Sequence, residues 1–413
     1  MNTAQLLLSV AVILLAARGV GWAFQRIGQP RVVGEMAAGI ALGPSLFGRF
    51  FPGAFAYVFP SSSLPGLTVL SQLGLLLFMF VVGLEVDLGR ILKQRTAVVL
   101  ISNVSILLPL VSGVALAAAL YPRFAGEQVS FAAFALFMGT AMSVTAFPVL
   151  ARILKERNLL GTDLGTMAIS CAAIDDISAW LLLAILTAMV HSAQSWHRLA
   201  VTLILLVAFV GVMLFPVRRG ALLLESLYEK HGASVEFISS LVLIMLAASW
   251  LTERLGVHAL FGAFMAGLIM PKNERMAAKI IDRFESLSLA LLLPLFFALT
   301  GLRTRIDLLN GGSMWGYTAA IVATAVGGKL AGAALTARIT GMRWEDSLGL
   351  GVLMNTRGLV ELVILSAGLD LGILSPALFT MLVLMALITT FMTTPILMAM
   401  KVRSENSQSA LDV

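Results

Sequence analysis

Apolar stretches of roughly 20 residues, each enough for a helix to cross about 30 Å of hydrocarbon, recur along this chain. Short polar turns separate them over all 413 residues. Within lipid every backbone N–H and C=O must be satisfied internally, which leaves helices or closed barrels. The runs are continuous and lack the alternation of a barrel strand. They predict an all-α polytopic membrane protein. Composition agrees, since only 12% of residues are charged, against about 25% in a soluble domain. The first run, from Thr3, has no basic segment ahead of it and no clear cleavage site, so it reads as a retained span. Cys171 is the sole cysteine. It excludes an internal disulfide or a cysteine metal cage, and is most simply a packing residue.

Thirteen spans are predicted: 3–22, 30–48, 65–86, 96–121, 130–151, 162–191, 198–217, 235–253, 257–271, 285–302, 313–337, 345–367 and 374–400. A short tail, 401–413, follows the membrane region 1–400. An odd count puts the two termini on opposite faces, and Lys and Arg choose between them. Of the 28 basic residues, Lys329 and Arg357 lie inside spans, and Arg49, Arg123, Arg198, Arg254, Arg303 and Arg305 fall on one side. The remaining 20 fall on the side of the C-terminus. The positive-inside rule therefore expects a cytoplasmic C-terminus and an external N-terminus, in a bacterial inner (plasma) membrane. This asymmetry also accounts for the net charge of +6 without nucleic acid as a partner.

The two halves resemble each other. "VVGEMAAGIALGP" (Val32–Pro44) is similar to "LFGAFMAGLIMP" (Leu260–Pro271), and "LLLFMFVVGLEVDL" (Leu75–Leu88) to "LPLFFALTGLRTRIDL" (Leu293–Leu308). Both matches are displaced by seven spans. Spans 1–6 would then repeat as 8–13, with 198–217 as linker, and an odd displacement inverts the second copy. Inverted repeats mark alternating-access transporters, with the substrate site near the midplane. Chance similarity between Gly- and Leu-rich helices is the alternative. Matching interruptions fall in spans 5 and 12: "GTAMSVTAFPVLARIL" contains Pro148, and "LGLGVLMNTRGLVELVIL" contains Asn355, Thr356, Arg357 and Gly358. Broken helices there would turn half-helix ends toward each other at mid-membrane; a plain proline kink is the blander reading.

A charge at the centre of a membrane helix costs about 2.5–3.5 kcal/mol. Outside the loops, this chain carries Glu35, Asp175, Asp176, Lys329, Arg357 and Glu361, with His258 near a span end. Asp175 and Asp176 sit side by side in "SCAAIDDISAW", and Lys329 lies in "TAVGGKLAGAALTAR". Small residues surround both, allowing close helix approach and room for water or an ion. Adjacent helical residues point about 100° apart. One aspartate can therefore hold Lys329 while the other faces a cavity and binds a proton or a cation. Neighbouring carboxylates and a lysine act oppositely on proton affinity, the balance that a proton-coupled carrier needs. A purely structural ion network is the alternative. Arg357 and Glu361, at i and i+4, read as a neutralising pair where span 12 breaks. Glu35 either gates the cavity or bonds a helix end, and His258 reads as interfacial.

At these residues the chain resembles the second monovalent cation/proton antiporter superfamily, with its NapA-like sodium/proton antiporters, KefC-like potassium efflux systems and CHX exchangers. "QPRVVGEMAAGIALGPSLFG", "LSQLGLLLFMFVVGLEVDL", "AAIDDISAW", "HALFGAFMAGLIMP" and "GLGVLMNTRGLVELVIL" carry the likeness. It implies an NhaA/NapA-like fold of thirteen helices, with two inverted six-helix repeats, a linker helix and two crossing broken helices. It also implies a homodimer and an elevator movement. A scaffold (3–48 and 235–271) would stay fixed while a core (65–191 and 285–400) carries the ion. By resemblance Asp175 contacts Lys329, and Asp176 binds the ion as the monovalent-cation site. Thr140, Ser143, Thr145, Asn355, Thr356 and Arg357 would support it, with Glu361 nearby. CHX- and KefC-like members commonly carry a single aspartate, whereas this chain has the NapA-like pair. The expected activity is exchange of Na⁺ or K⁺ for protons, without a cofactor and without enzymatic chemistry. A proton- or sodium-coupled organic-solute carrier on a related fold is the alternative.

Overall fold

The computed structural model describes residues 3–86, 96–126, 129–159, 161–191, 196–271, 273–287 and 291–400. The tail 401–413 lies outside them, as do Arg90, Lys93, Arg95, Lys272, Lys401 and Arg403 of the basic count. Among the described residues the protein is all-helical, with one isolated antiparallel bridge between Ala125 and Leu374. Among the described residues ten segments are long and apolar enough to cross a membrane. Three expected spans are shorter helices: α2 (Arg31–Leu42, 12 residues), α13 (Ala259–Leu268, 10 residues) and α15 (Leu293–Arg303, 11 residues). At 1.5 Å per residue these reach only about 15–18 Å.

In chain order α1 (Thr3–Arg26) and α2 are followed by two short helices, α3 (Phe47–Phe50) and α4 (Pro52–Val58). Next come α5 (Leu64–Glu85), α6 (Thr96–Phe124), α7 (Phe131–Ser143), α8 (Phe147–Glu156) and α9 (Asp163–His191). The middle of the chain forms α10 (Trp196–Val212), a π turn over Met213–Val217, α11 (Arg218–His231), α12 (Val235–Arg254), α13, α14 (Glu274–Leu287) and α15. The last four are α16 (Gly312–Ile339), α17 (Trp344–Met354), α18 (Leu359–Asp370) and α19 (Pro376–Ala399). Serines cap α7, α12 and α19. Ser130, Ser234 and Ser375 accept the N–H three residues on, satisfying an orphan donor of the first turn.

The chain divides into two compact units. The first comprises Met1–Leu14, Ala56–Leu92 and Leu183–Leu299. Its centre is the crossing of α5 with α13, backbone against backbone. A Cβ on Gly267 would overlap Phe80 O and stand 2.8 Å from Leu84 N. One on Gly83 would overlap Phe264 O and stand 2.9 Å from Leu268 N. On α13's other side Gly262 lies against Ala248 and Ser249 of α12. Across α5, α14 lays its apolar stripe of Met276, Ile280 and Phe284, the last ring 5.7 Å from Phe80. The sequence reads these residues as loop and the start of span 10; the i, i+4, i+8 spacing makes them a separate amphipathic helix.

The second unit comprises Leu15–Phe55, Lys93–Leu182 and Thr300–Val413. Here Gly34 of α2 admits Val20 and Gly21 of α1, and a Cβ on Gly301 would overlap Gly39 and Ile40 of α2. The same unit gathers α6, α7, α8, most of α9, and α16–α19. Glycines again set the spacing. Gly113 and Gly139 bring α6 onto α7, and Gly328 and Gly332 bring α16 onto α6.

Candidate functional site

All the charged residues that the sequence places deep in the lipid are buried, and the second unit draws them together. Asp175, Asp176, Lys329, Arg357 and Glu361 are each at most 1% exposed. Asp175 lies near the middle of α9, on a face where Ala168, Cys171 and Ala172 are also buried. Lys329 comes from α16. The missing side chains of Gly328 and Gly332 let that helix approach α6, with Pro109 Cα 2.9 Å and Val104 O 3.0 Å from where a Cβ would stand. Lys329 Nζ reaches Asp175 Oδ2 at 2.5 Å. From α6, Ser102 donates to Asp175 Oδ1 at 2.9 Å. Removing one member of a buried ion pair leaves an uncompensated charge and costs about 3–5 kcal/mol.

The next residue, Asp176, is turned about 100° around α9 from Asp175 and is fully buried. Cys171, one turn before Asp175, packs in an apolar cluster with Val98, Leu150 and Leu353.

Two helix interruptions meet beside this pair. The first lies between α7 and α8, over Val144–Ala146, and the second between α17 and α18, over Asn355–Gly358. Ala146 N–H donates to Thr356 O at 2.9 Å, tying one break to the other. Thr145 stands between them, its hydroxyl 2.8 Å from Asp175 Oδ2 and 2.7 Å from Met354 O, with one proton to give. Pro148 acts differently from a mid-helix kink. It occupies the first turn of α8, where its missing N–H would have had no helical partner. The interruption is complete before the proline is reached.

Arg357 spans the two breaks. Its Nη1 and Nη2 donate to Ala141 O and Met142 O at 2.5 and 2.7 Å, and Nη1 also reaches Glu361 Oε2 at 2.9 Å. Those carbonyls end α7, where a helix lacks internal donors and carries partial negative charge. Thr390 of α19 completes the clamp. It accepts the Arg357 N–H at 3.0 Å, and its hydroxyl lies 2.6 Å from Arg357 O.

The other sequence candidates divide into two groups. Thr140 donates to Leu136 O of its own helix at 2.7 Å, while the Ser143 hydroxyl lies 2.7 Å from Gly139 O and 3.0 Å from Ile106 O of α6. By contrast Asn355 Oδ1, Thr356 Oγ1 and Glu361 Oε1 are buried acceptors without a hydrogen-bond partner among the described residues. Glu35 pairs with Arg31 at 3.0 Å, one turn apart on α2, and so belongs to a helix start. His258 caps α13 by accepting from Leu260 N–H at 3.4 Å. Among the described residues no three His, Cys, Asp or Glu side chains gather as a metal cage would need. Neither Ser102 nor Thr390 stands out in the sequence, because hydroxyls in membrane helices ordinarily bond their own preceding turn.

The family described as sodium/hydrogen exchanger, transmembrane, matches residues 10–399. The chain belongs to that family. This exchanger-family chain is therefore a multi-pass integral membrane protein of the cation/proton antiporter superfamily. It is 41% identical over 397 residues to the Na(+)/H(+) antiporter NhaS4 of Synechocystis sp., covering 96% of this chain and 97% of the relative. It is 36% identical to K(+)/H(+) antiporter 1 of Saccharomyces cerevisiae, and 39% identical to Cation/H(+) antiporter 17 of Arabidopsis thaliana. Those two alignments cover 94% and 95% of this chain but 46% and 48% of the relatives, so the chain spans about half their length. In fold the exchanger is similar to the sodium proton antiporter MjNhaP1 from Methanocaldococcus jannaschii. The TM-score is 0.69 at 14% identity, over 97% of each chain.

Proposed function

We propose that this protein is a secondary antiporter that exchanges a monovalent cation, Na⁺ or K⁺, for protons, with Asp176 as the exchanging group. One observation carries the assignment of roles. Both oxygens of Asp175 are engaged, Oδ1 by Ser102 and Oδ2 by Lys329 and Thr145. A carboxylate so held is costly to titrate or to strip for an ion. With Asp175 held in that cage, Asp176, buried one residue on, is assigned the alternation between a proton and a cation. The relatives named as Na(+)/H(+) and K(+)/H(+) antiporters support both cation choices.

Asn355 Oδ1 and Thr356 Oγ1 would lend neutral oxygens to the cation, and the half-helix ends would lend carbonyl and amide dipoles. Thr140, Ser143 and Thr145 hold the first break, while Arg357 and Glu361 neutralise the second. No cofactor is required, because the transported ions supply the driving force.

An inverted duplication with thirteen spans, a linker and a cytoplasmic C-terminus is part of the same reading. Under the repeat Gly34 corresponds to Gly262, Gly39 to Gly267 and Gly83 to Gly301. Gly34 meets span 1 and Gly262 meets span 8, its counterpart. Gly83 and Gly267 make the crossing of spans 3 and 9, and Gly301 and Gly39 make that of spans 10 and 2. Each crossing thus joins one copy to the other, in corresponding places. On this reading the scaffold, 3–48 and 235–271, stays fixed while the core, 65–191 and 285–400, moves. The Asp pair, Lys329 and both breaks, knitted by hydrogen bonds, would reorient as one body in an elevator step. The protein would work as a homodimer.

The test is dissipation of a pH gradient in proteoliposomes under Na⁺, K⁺ and Li⁺ in turn, with membrane voltage clamped and unclamped. Proton movement driven by at least one of these cations is expected. Its absence under every alkali salt would sink the reading.

A further inference from the structure

The second break leaves residues 356–358 outside any helix, so its peptide groups need partners other than a helical ladder. Around Arg357 a single side chain supplies both. Thr390 Oγ1 accepts the Arg357 N–H at 3.0 Å and lies 2.6 Å from Arg357 O, nearer than the 2.8 Å to Ala386 O in its own helix. Thr390 is fully buried, and within lipid a lost backbone partner is costly to replace. The peptide that Thr390 fixes lies next to Thr356, whose carbonyl receives the first break's Ala146 N–H and whose hydroxyl is an unpartnered buried acceptor. Moving Arg357 by a fraction of an ångström therefore moves Asn355 and Thr356 against Asp176's helix. It also moves the guanidinium that holds the end of α7.

We propose that Thr390 is a positioning residue for ion exchange, whose hydroxyl sets the register of the Asn355–Gly358 break and with it the spacing that discriminates among alkali cations. This rests on the antiport reading above. Neighbouring Thr389 shows the contrast. It is equally buried, yet its hydroxyl reaches only Met385 O and Ala386 O, at 2.9 and 3.1 Å within α19. One residue apart, one hydroxyl serves its helix and the other serves the break.

The experiment compares Thr390→Val with Thr389→Val in proteoliposomes, measuring apparent KM and kcat for Na⁺, K⁺ and Li⁺ together with thermal unfolding in detergent. Valine keeps the volume and removes the hydroxyl, orphaning a buried donor and a buried acceptor. Losses of that kind correspond to changes of about 5- to 150-fold. Thr390→Val should raise apparent KM about ten-fold or more and shift the ratio of KM values between cations. Thr389→Val should leave both near wild type, and Thr390→Ser should restore the wild-type ratio. If Thr390→Val fails to fold, Thr390→Ala, which introduces no bulk, carries the same expectation. A variant that unfolds at lower temperature but keeps the wild-type KM values and their ratio would overturn the proposal. So would equal KM effects at both threonines. Wild-type protein that exchanges no alkali cation would instead refute antiport itself.

Discussion

The crossing of α5 and α13 in the first unit and the meeting of the two breaks in the second solve one problem in opposite ways. Each brings main chain against main chain among buried residues. At the crossing the helices stay intact and the approach comes from missing side chains, Gly83 on one helix and Gly267 on the other. Both helices run through the crossing without a break. At the breaks the helices open instead, and side chains take over their peptide groups: Thr145 at Met354 O, Arg357 at Ala141 O and Met142 O, Thr390 at Arg357. That arrangement leaves acceptors over, including Asn355 Oδ1 and Thr356 Oγ1. The first device makes a seam. The second makes the place where, on the reading proposed above, an ion would be exchanged for a proton.

If the contrast holds, the largest effect comes from the carboxyl to which the exchange is assigned. Asp176→Asn should abolish cation-driven proton movement in proteoliposomes while the protein still folds, since the amide is close in size and uncharged. Undiminished exchange would break the comparison at its functional end. Next comes the seam. Gly267→Ala places a methyl group onto Phe80 O, and overpacking of this kind costs about 1–3 kcal/mol, here at the upper end because the obstacle is backbone. Thermal unfolding should fall steeply for Gly267→Ala and hardly at all for Gly211→Ala, whose added Cβ would meet nothing within 4 Å. Equal melting temperatures would show that the seam is slack. A smaller effect separates the two aspartates. Ser102→Ala removes the donor to Asp175 Oδ1, a charged hydrogen bond worth about 1.5 kcal/mol or more. It should lower stability, and weaken cation affinity less than any change at Asp176; the reverse order would exchange the roles assigned to the pair.

Much of this was legible before any coordinates. Run length and continuity determine an all-helical membrane chain, and the cost of intramembrane charge singles out Asp175, Asp176 and Lys329. The spacing of "NTRG" behind a buried run marks the second break. Less legible were positions whose role depends on which way a common residue points. Ser102 and Thr390 are ordinary hydroxyls in apolar helices, and no local pattern tells a cross-helix bond from a bond to the preceding turn. Helix α14 was hidden for another reason: Met276, Ile280 and Phe284 form its apolar stripe, but a hydropathy run merges its end with the following span. Pro148 misled in detail. It announces the first break, yet the chain leaves the helix at Val144, four residues earlier, and the ring sits comfortably in the next helix start.

The smallest effect tests the outer end of the second seam, where Gly301 meets α2. A Cβ on Gly43 would stand 2.6 Å from Gly301 O, and just beyond, Ser45 Oγ accepts from Ile306 N–H at 2.7 Å and donates to Asp307 Oδ1 at 3.1 Å. Arg305 Nη2 lies 2.6 Å from Asp307 Oδ2. The Arg305 guanidinium, bonded to it, holds the Asp307 carboxyl below its ordinary value of 3.8. A folded-state value below the unfolded one gives stability that is present above the unfolded value and lost as pH falls through the folded one. Arg305 keeps its charge throughout. Because both groups are partly in water, the gain is less than about 1 kcal/mol. Asp307→Asn should therefore unfold slightly earlier than wild type at neutral pH, by an amount constant down to about pH 5. The two curves should converge once the wild-type carboxyl is protonated as well. A gap that persisted undiminished in acid would mean that Asp307 acts through its shape and its bond to Ser45. The seam would then owe nothing to charge, and the difference between it and the break region would be sharper still.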